Sequence, residues 1–200
     1  MSNSKQFTMM SNKEIALEEI FATDPYGLLD TKVLELFAGS RSIGKVSEEL
    51  GYKVFSSDLN NFDGIDYAVD IRKFDKSKVP FIPDVIWCSP PCTGFSVAAI
   101  GKNWVKGEVF TPKTDSARLG VELLDATLEL IKHYLALNPN LKWYMENPRG
   151  KMRKSPKLSE SKDQSTLSLF NQELEMVDGL DMVRHTITYC QYGDDRMKPT

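Results

Sequence analysis

A short loop with two prolines and a cysteine is the sharpest chemical feature of the sequence. Pro90-Pro91-Cys92 comes shortly after an apolar run that is typical of a strand. Two consecutive prolines fix two backbone φ angles, so they present Cys92 in one place. A thiol held in this way can act as a nucleophile where positive charge or a helix N-terminus favours the thiolate. A buried structural cysteine behind a proline turn is the alternative, and it is the better interpretation of a single cysteine taken alone.

A carboxylate follows a second predicted strand. Glu146-Asn147-Pro148 comes after the mostly apolar residues 141–145, and Pro148 stiffens the chain beyond it. A protonated glutamate here can donate a proton to a heteroaromatic ring nitrogen while a thiolate attacks the ring. A solvated glutamate at a strand end is the ordinary alternative. This alternative is weakened only by the presence of Cys92 after the neighbouring predicted strand.

A glycine and an aspartate 19 positions apart indicate a nucleoside site. Gly39 ends the first predicted strand and Asp58 ends the second. At this spacing an acidic side chain accepts hydrogen bonds from a ribose, while the glycine turn lets the ligand approach closely. A tight turn with a solvated aspartate explains these two residues equally well. Residues 39–44 lack the G-x-G-x-x-G and P-loop patterns, so they favour a nucleoside with a small anionic group over a polyphosphate.

Five basic residues lie within nine positions directly after Pro148, with no acidic residue among them. They are Arg149, Lys151, Arg153, Lys154 and Lys157. Such a run is more often a solvated surface than a binding site. We nevertheless assign its first four members to nucleic-acid phosphate, because a formal net charge of −3 leaves no bulk positive charge to hold a polyanion.

These residues need strands that alternate with helices to bring them together. Apolar runs predict strands over 32–38, 52–57, 68–71, 84–88, 141–146 and 185–190. Three helices are predicted. The first ends near residue 22, the second covers 43–50, and the third is an amphipathic segment marked by apolar positions within 119–135. A long loop is expected over 101–115. The alternation predicts an α/β protein with a parallel sheet, helices on both faces, and ligands outside the carboxyl ends of the strands.

Length and composition bound the class of protein. The 200 residues, with 41% hydrophobic and 10% aromatic content, fit one domain with a small appendage and exclude a disordered or collagen-like chain. We divide them into an N-terminal arm with a short helix (1–30) and a main domain (31–200) that contains a flexible excursion at 154–180. The absence of a long apolar stretch or a signal-peptide core predicts a cytoplasmic protein without membrane association. No metal site is expected, because Cys190, His133 and His185 lie far along the chain from Cys92.

The motifs, in this order, resemble the cytosine-5 DNA methyltransferases, especially the short phage and prophage members. The resemblance covers about residues 32–200 and rests on Glu35-Leu36-Phe37-Ala38-Gly39, Pro90-Pro91-Cys92 and Glu146-Asn147-Pro148. It implies a doubly wound, mostly parallel sheet of the S-adenosylmethionine-dependent, Rossmann-like type, in a bacterial host or a phage-infected cell. The cofactor-binding positions it implies are Glu35, Phe37, Ala38, Gly39, Ser40, Asp58, Leu59, Asp70, Ile71 and Pro90.

The resemblance also implies covalent catalysis on DNA. Cys92 would add to carbon 6 of a cytosine, while Glu146 would hold the exocyclic amine and protonate ring nitrogen 3. Carbon 5 would then take the methyl group of S-adenosylmethionine. Pro91 and Arg196 complete the expected catalytic set, Arg196 as the candidate for a base-contacting arginine of a later motif. The base must leave the duplex to reach the thiol.

Two departures from the family keep alternatives open. Arg41-Ser42 replaces the glycines usual after Phe-Ala-Gly, so the methionine end of the cofactor is expected to be held differently. The sequence stops at Thr200, before the family's last strand, target-recognition region and C-terminal cofactor helix. A truncated enzyme, a minimal enzyme whose protein partner supplies target recognition, or a cofactor-binding remnant would each fit. Methylation of RNA, and a catalytically silent binding module that retains the fold, are the alternative functions.

Overall fold

The computed structural model describes residues 30–148, 150–158, 173–177 and 180–184. Short strands rich in apolar residues form its centre. They are β1 (Lys32–Leu36), β2 (Lys53–Asp58), β3 (Tyr67–Ala68), β4 (Val85–Cys88) and β5 (Lys142–Met145). All neighbouring pairs are parallel, in the order β3-β2-β1-β4-β5. The predicted α/β fold with a parallel sheet is confirmed, and each of these strands lies within two or three residues of its predicted bounds.

Three α-helices accompany the sheet in the described part of the chain. They are α1 (Ser42–Glu49), α2 (Ile100–Asn103) and α3 (Asp115–Leu137). Thr114 begins α3, because its hydroxyl oxygen accepts a hydrogen bond from the Ala117 N–H at 3.3 Å. The inner face of α3 contributes Leu124, Leu128 and Ile131 to the same core as Leu34 and Ile86 of the central strands. None of the described helices is long and apolar enough to cross a membrane.

The third strand is shorter than predicted. Asp70 was expected inside a strand over 68–71, but its carboxylate accepts the Arg72 N–H at 3.0 Å and begins a 3-10 helix, Ile71–Lys73. Aspartate competes in this way for nearby backbone N–H groups, which ends the extended conformation.

The predicted loop over 101–115 is also more structured than expected. It contains most of α2, and it is anchored by stacked aromatic rings. The Trp104 ring centroid lies 4.6 Å from that of Phe110 and 5.8 Å from that of Phe95. Trp104 is only 2% exposed, so apolar burial, rather than glycine content, determines the conformation of this segment.

The segment predicted as a flexible excursion over 154–180 contains secondary structure where the structure describes it. Pro156–Leu158 is a 3-10 helix, and Ser155 and Leu158 are buried. Further on, β6 (Glu173–Val177) pairs antiparallel with β7 (Leu180–Arg184). The predicted N-terminal arm and its helix, and the predicted strand at 185–190, lie outside the described residues.

Candidate active site

The carboxyl ends of β1 and β4 meet at the centre of the sheet. Leu36 of β1 pairs with Cys88 of β4, and the Ser89 N–H donates to the Leu36 carbonyl at 3.3 Å. The chain order changes direction between these strands, since β2 and β3 lie on one side and β5 on the other. Ligands of open α/β sheets bind in the crevice at such a switch point. The loop with Gly39 follows β1 here, and the loop with Cys92 follows β4.

Two hydrogen bonds join the segment after β4 to the segment after β5. The Glu146 N–H donates to the Cys88 carbonyl at 2.9 Å, one residue beyond the last pair of the two strands. The Asn147 side-chain amide donates to the Pro90 carbonyl at 2.7 Å. These two bonds therefore hold the loop that ends in Cys92 beside the strand end that carries Glu146.

A second attachment lies just beyond Cys92. Ser96 forms an antiparallel bridge with Gly150, and the Lys151 N–H donates to the Phe95 carbonyl at 2.7 Å. A Cβ atom at Gly150 would lie 2.2 Å from the Phe95 carbonyl oxygen, so only glycine fits at this position. The segment after β5 thus contacts the Cys92 loop on both sides of the thiol.

The two described cysteines differ in their surroundings. Cys92 is half-buried and follows the exposed Pro91 and the buried Pro90. Its carbonyl accepts the N–H groups of Phe95 and Ser96, both at 2.9 Å, so a tight turn follows it. Cys88 is fully buried, its Sγ donates to the Tyr144 carbonyl at 3.2 Å, and burial raises the pKa of its thiol. Only Cys92 has the exposure that a nucleophile needs.

The Cys92 loop is supported from behind by residues that the sequence did not single out. The Gly94 carbonyl accepts the indole N–H of Trp104 at 2.8 Å and the side-chain amide of Asn103 at 3.3 Å. A Cβ at Gly94 would lie 2.7 Å from the Ser116 carbonyl oxygen, so the start of α3 packs directly on the loop. In the sequence, the available signals for this support were a glycine shortly after Cys92 and a tryptophan in a lysine-rich segment.

The ends of β1 and β2 meet as their predicted nucleoside role requires. The Gly39 N–H donates to the Asp58 carboxylate at 3.0 Å, and the Asn60 N–H donates to its other oxygen at 2.9 Å. Gly39 has φ +52°, and a Cβ there would meet no atom within 4 Å, so the space beside it is open. Leu59, next to Asp58, is 67% exposed. A carboxylate that still has unused lone pairs, an open glycine and an exposed apolar side chain suit a nucleoside.

Most of the remaining predicted cofactor positions follow β1 and β3 in the chain. Phe37 has φ +56° and packs partly against the core, Ala38 is buried and its N–H donates to the Ser57 carbonyl at 3.0 Å, and Ser40 is exposed. Ile71 is buried behind Asp70. Hydrogen bonds from the Arg72 guanidinium lower the pKa of Asp70 to about 2, so this carboxylate is charged at neutral pH. Arg72 also donates to Glu122 of α3 at 2.7 Å.

Glu35, one of the cofactor positions that the resemblance implies, lies inside the protein. It is 2% exposed, and its carboxylate accepts the Ile43 N–H at 3.2 Å and the Ser56 hydroxyl at 3.0 Å. The bond from Ile43 satisfies an N–H group in the first turn of α1. Glu35 therefore holds the start of this helix from inside the protein.

The basic run after Pro148 divides into engaged and available side chains. The Lys151 ammonium donates to the Glu108 carbonyl at 3.0 Å and lies 5.5 Å from the Trp104 ring centroid. Lys157 pairs with Asp125 at 2.9 Å. Arg153 and Lys154 form no ion pair within the described ranges, and Lys154 is exposed. Arg149, like the predicted catalytic Arg196, lies outside the described residues.

No group of three or more His, Cys, Asp or Glu suited to a metal ion occurs among the described residues. The side chains at this end of the sheet include a thiol, carboxylates and the amide of Asn147. The sequence did not single out Asn147 for a role of its own, although an amide between a strand-end glutamate and a proline was a usable signal. Its Oδ1 is buried without a hydrogen-bond partner in the described part of the molecule, while its amide N–H group carries the bond to Pro90.

The parallel sheet with its helices and its switch in strand order is an α/β fold of the Rossmann-like methyltransferase type. The chain is 33% identical over 129 residues to the "Probable DNA (cytosine-5)-methyltransferase" of Frog virus 3 (isolate Goorha). The alignment covers 61% of this chain and 56% of the relative, so the chain spans little more than half of that protein's length. No family model matches the chain. The resemblance to cytosine-5 DNA methyltransferases that the motifs indicate is confirmed.

Replacing Gly150 by alanine tests the second attachment of the Cys92 loop. The added Cβ would press on the Phe95 carbonyl oxygen, and overpacking of this kind costs about 1–3 kcal/mol. We expect the urea midpoint of Gly150→Ala to fall accordingly. Gly101→Ala is the matched control, because a Cβ at Gly101 meets no atom within 4 Å. Equal midpoints for the two variants would contradict the close packing at Gly150.

Proposed function

We propose that this protein is a DNA cytosine-5 methyltransferase that uses S-adenosylmethionine and attacks the base through Cys92. The observation that carries the proposal is the pair of hydrogen bonds that holds the Pro90–Cys92 loop beside Glu146 at the switch point of the sheet. The name of the similar viral protein describes the same reaction. A thiol and a carboxylate at adjoining strand ends match what nucleophilic addition to a pyrimidine ring requires.

The residues after β1 and β2 fit the cofactor by their chemistry. When bound, S-adenosylmethionine supplies a methyl group on a positively charged sulfur, which makes that methyl electrophilic. Asp58 has lone pairs left to accept ribose hydroxyls, and the exposed Leu59 side chain can cover an adenine ring. The open space beside Gly39 admits the ligand against the backbone. Phe37, Ala38, Ser40, Asp70, Ile71 and Pro90 complete the proposed cofactor-binding set.

On the other side of the switch point, the chain's own groups carry the electron and proton transfers. The Cys92 thiolate forms a bond to carbon 6 of cytosine, and the carboxylic acid of Glu146 gives its proton to ring nitrogen 3. The electron pair displaced from the ring then makes carbon 5 a nucleophile toward the methyl group. A solvent water accepts the proton lost from carbon 5, and the electrons of that bond expel the thiolate as the carbon–sulfur bond breaks. Ring nitrogen 3 then returns its proton to the Glu146 carboxylate, which restores the starting acid. Pro91 keeps the thiol in place throughout.

The target base has to be extruded from a duplex before Cys92 can reach it. Phosphate contacts on either side of the base would hold the strand in register. Arg153 and Lys154 are proposed for this role, together with Arg149, while the ammonium of Lys151 already serves the Trp104 segment. Arg196 remains the proposed base-contacting arginine. A partner protein could supply target recognition.

Covalent trapping tests the proposed nucleophile. In a random-sequence duplex with 5-fluorocytosine in place of cytosine, fluorine cannot leave as a cation, so the enzyme stays attached once the methyl group has been transferred. With S-adenosylmethionine present, we expect mass spectrometry to detect this adduct for the wild-type protein and to find none for Cys92→Ser.

Cys88→Ser is the matched control, because a serine hydroxyl can keep the hydrogen bond to the Tyr144 carbonyl. It should retain trapping. Loss of the adduct in Cys88→Ser but not in Cys92→Ser would reverse the assignment. An adduct with fluorinated RNA and none with DNA would make RNA the substrate, and no adduct with either would favour a silent binding module.

Asp58→Ala tests the proposed ribose contact. Loss of a charged hydrogen bond costs about 1.5–3 kcal/mol, which corresponds to roughly ten- to a hundred-fold in affinity. We expect calorimetry to show S-adenosylmethionine binding weakened by that factor. Asp63→Ala removes the same charge from an exposed position of the same loop and should bind normally. Wild-type affinity for S-adenosylmethionine in Asp58→Ala would contradict the ribose contact proposed for Asp58.

The double variant Arg153→Ala with Lys154→Ala tests the phosphate contacts. Each lost contact should reduce the slope of log affinity against log salt concentration by about 0.9 on duplex DNA. All DNA sequences should weaken alike, with cofactor binding unchanged. Lys76→Ala with Lys78→Ala removes two exposed positive charges elsewhere and is the control. An unchanged slope would return residues 149–157 to a solvated surface and would point to Lys102, Lys106 and Lys113.

A further inference from the structure

Arg41 stands between the Gly39 loop and α1 in a left-handed backbone conformation. Its φ and ψ angles are 58° and 42°, values that non-glycine residues other than Asn and Asp seldom adopt. Such a conformation persists only where the surroundings hold it. The Arg41 N–H donates to the Ala38 carbonyl at 2.7 Å, which closes the turn around Gly39. The side chain supplies the other constraints.

The Arg41 side chain is buried in a polar network beneath α1. Its Nε donates to the Ser56 hydroxyl at 3.0 Å, and that hydroxyl donates to the Glu35 carboxylate at 3.0 Å. Another guanidinium nitrogen forms an ion pair with Glu48, near the end of α1. Arg41 is 9% exposed and Glu35 is 2% exposed, so the guanidinium is the positive charge that balances a buried carboxylate.

The same guanidinium packs on the loop that follows β2. A Cβ atom at Gly64 would lie 2.7 Å from an Arg41 guanidinium nitrogen and 3.1 Å from its Cδ, so the side chain lies flat against the Gly64 backbone. The far end of this loop is fixed to β2, because the Asp66 carboxylate accepts the Ser56 N–H at 2.7 Å. Its near end begins at Asp58, which binds the Gly39 N–H.

We propose that Arg41 is a positioning residue that holds loop 59–66, and with it Leu59, against the Gly39 loop before the cofactor binds. The glycines usual at this place in the resembled family have no side chain for such a task. In this chain the two loops on either side of the nucleoside site are joined by one buried cation. The proposal rests on the proposed function only for the identity of the ligand. The joining of the loops is a property of the free protein.

Two measurements on graded variants test this role. Glu48→Gln weakens the pairing of Arg41 without leaving a buried charge unbalanced, since the Glu48 side chain is 47% exposed. Glu49→Gln is the matched control on the same helix. Hydrogen exchange of the free protein should speed up within residues 59–66 in Glu48→Gln and not in Glu49→Gln. Arg41→Ala should speed it further, and Arg41→Lys should restore part of the protection.

Cofactor affinity gives the second measurement. We expect the Kd for S-adenosylmethionine to rise on the order of ten-fold in Arg41→Ala, and less in Glu48→Gln and Arg41→Lys. The rate of adduct formation at saturating cofactor should stay at the wild-type value, because the Cys92 half of the site is not altered. Unchanged exchange in Glu48→Gln and Arg41→Ala overturns the positioning role. Faster exchange in these variants, together with a wild-type protein that binds no S-adenosylmethionine, would overturn the proposed function and leave the joining of the loops intact. A fall in the rate of adduct formation equal to the loss of affinity would show that Arg41 is merely structural.

Discussion

Prolines cannot donate backbone hydrogen bonds, and this limit governs how the Cys92 loop can be held. Pro90 and Pro91 offer only their carbonyl oxygens to a partner, so a donor has to come from another segment. Parallel pairing of β4 and β5 brings that donor to the same edge of the sheet, where the Asn147 amide reaches the Pro90 carbonyl at 2.7 Å. The Glu146 N–H donates to the Cys88 carbonyl and so continues the pairing of the two strands. The same segment after β5 therefore holds both the loop and the glutamate backbone in place.

The two halves of the site are joined through the central strands. The Ser89 N–H bonded to the Leu36 carbonyl connects the start of the Pro90–Cys92 segment with the end of β1, from which the Gly39 loop departs. The proposed reaction between a nucleoside-type cofactor and a base needs both ligands at one place, and the switch in strand order brings the two loops to the same edge of the described sheet. Asp58 and Asp70 lie on the side proposed for the cofactor, whereas the run after Pro148 is basic, which suits the proposed sulfonium on one side and the proposed phosphate on the other.

Buried charge is used here for alignment. Glu35 caps α1 from within the protein, and Arg41 balances it through Ser56 while bracing the loop at Gly64. Breaking one member of a buried charged network leaves the other without a partner, which is costly. The arrangement therefore restrains a turn that glycines would leave flexible. The Lys151 ammonium is not buried in this way; it lies over the Trp104 ring and donates to the Glu108 carbonyl.

Local pattern alone determined much of this protein. Apolar runs bounded by Gly, Pro and Asp predict the parallel sheet, and strand-end placement marks Cys92, Glu146 and Asp58, because periodicity and turn chemistry act over a few residues. Tertiary structure decided which of the marked groups are buried and which partners they have. Glu35 turns inward, Lys151 is engaged by an aromatic segment, and Asn147 bonds to a carbonyl 57 positions away. Such pairings depend on which segments the sheet order places side by side, and a side chain's burial and partners are set by those distant segments rather than by its neighbours in sequence.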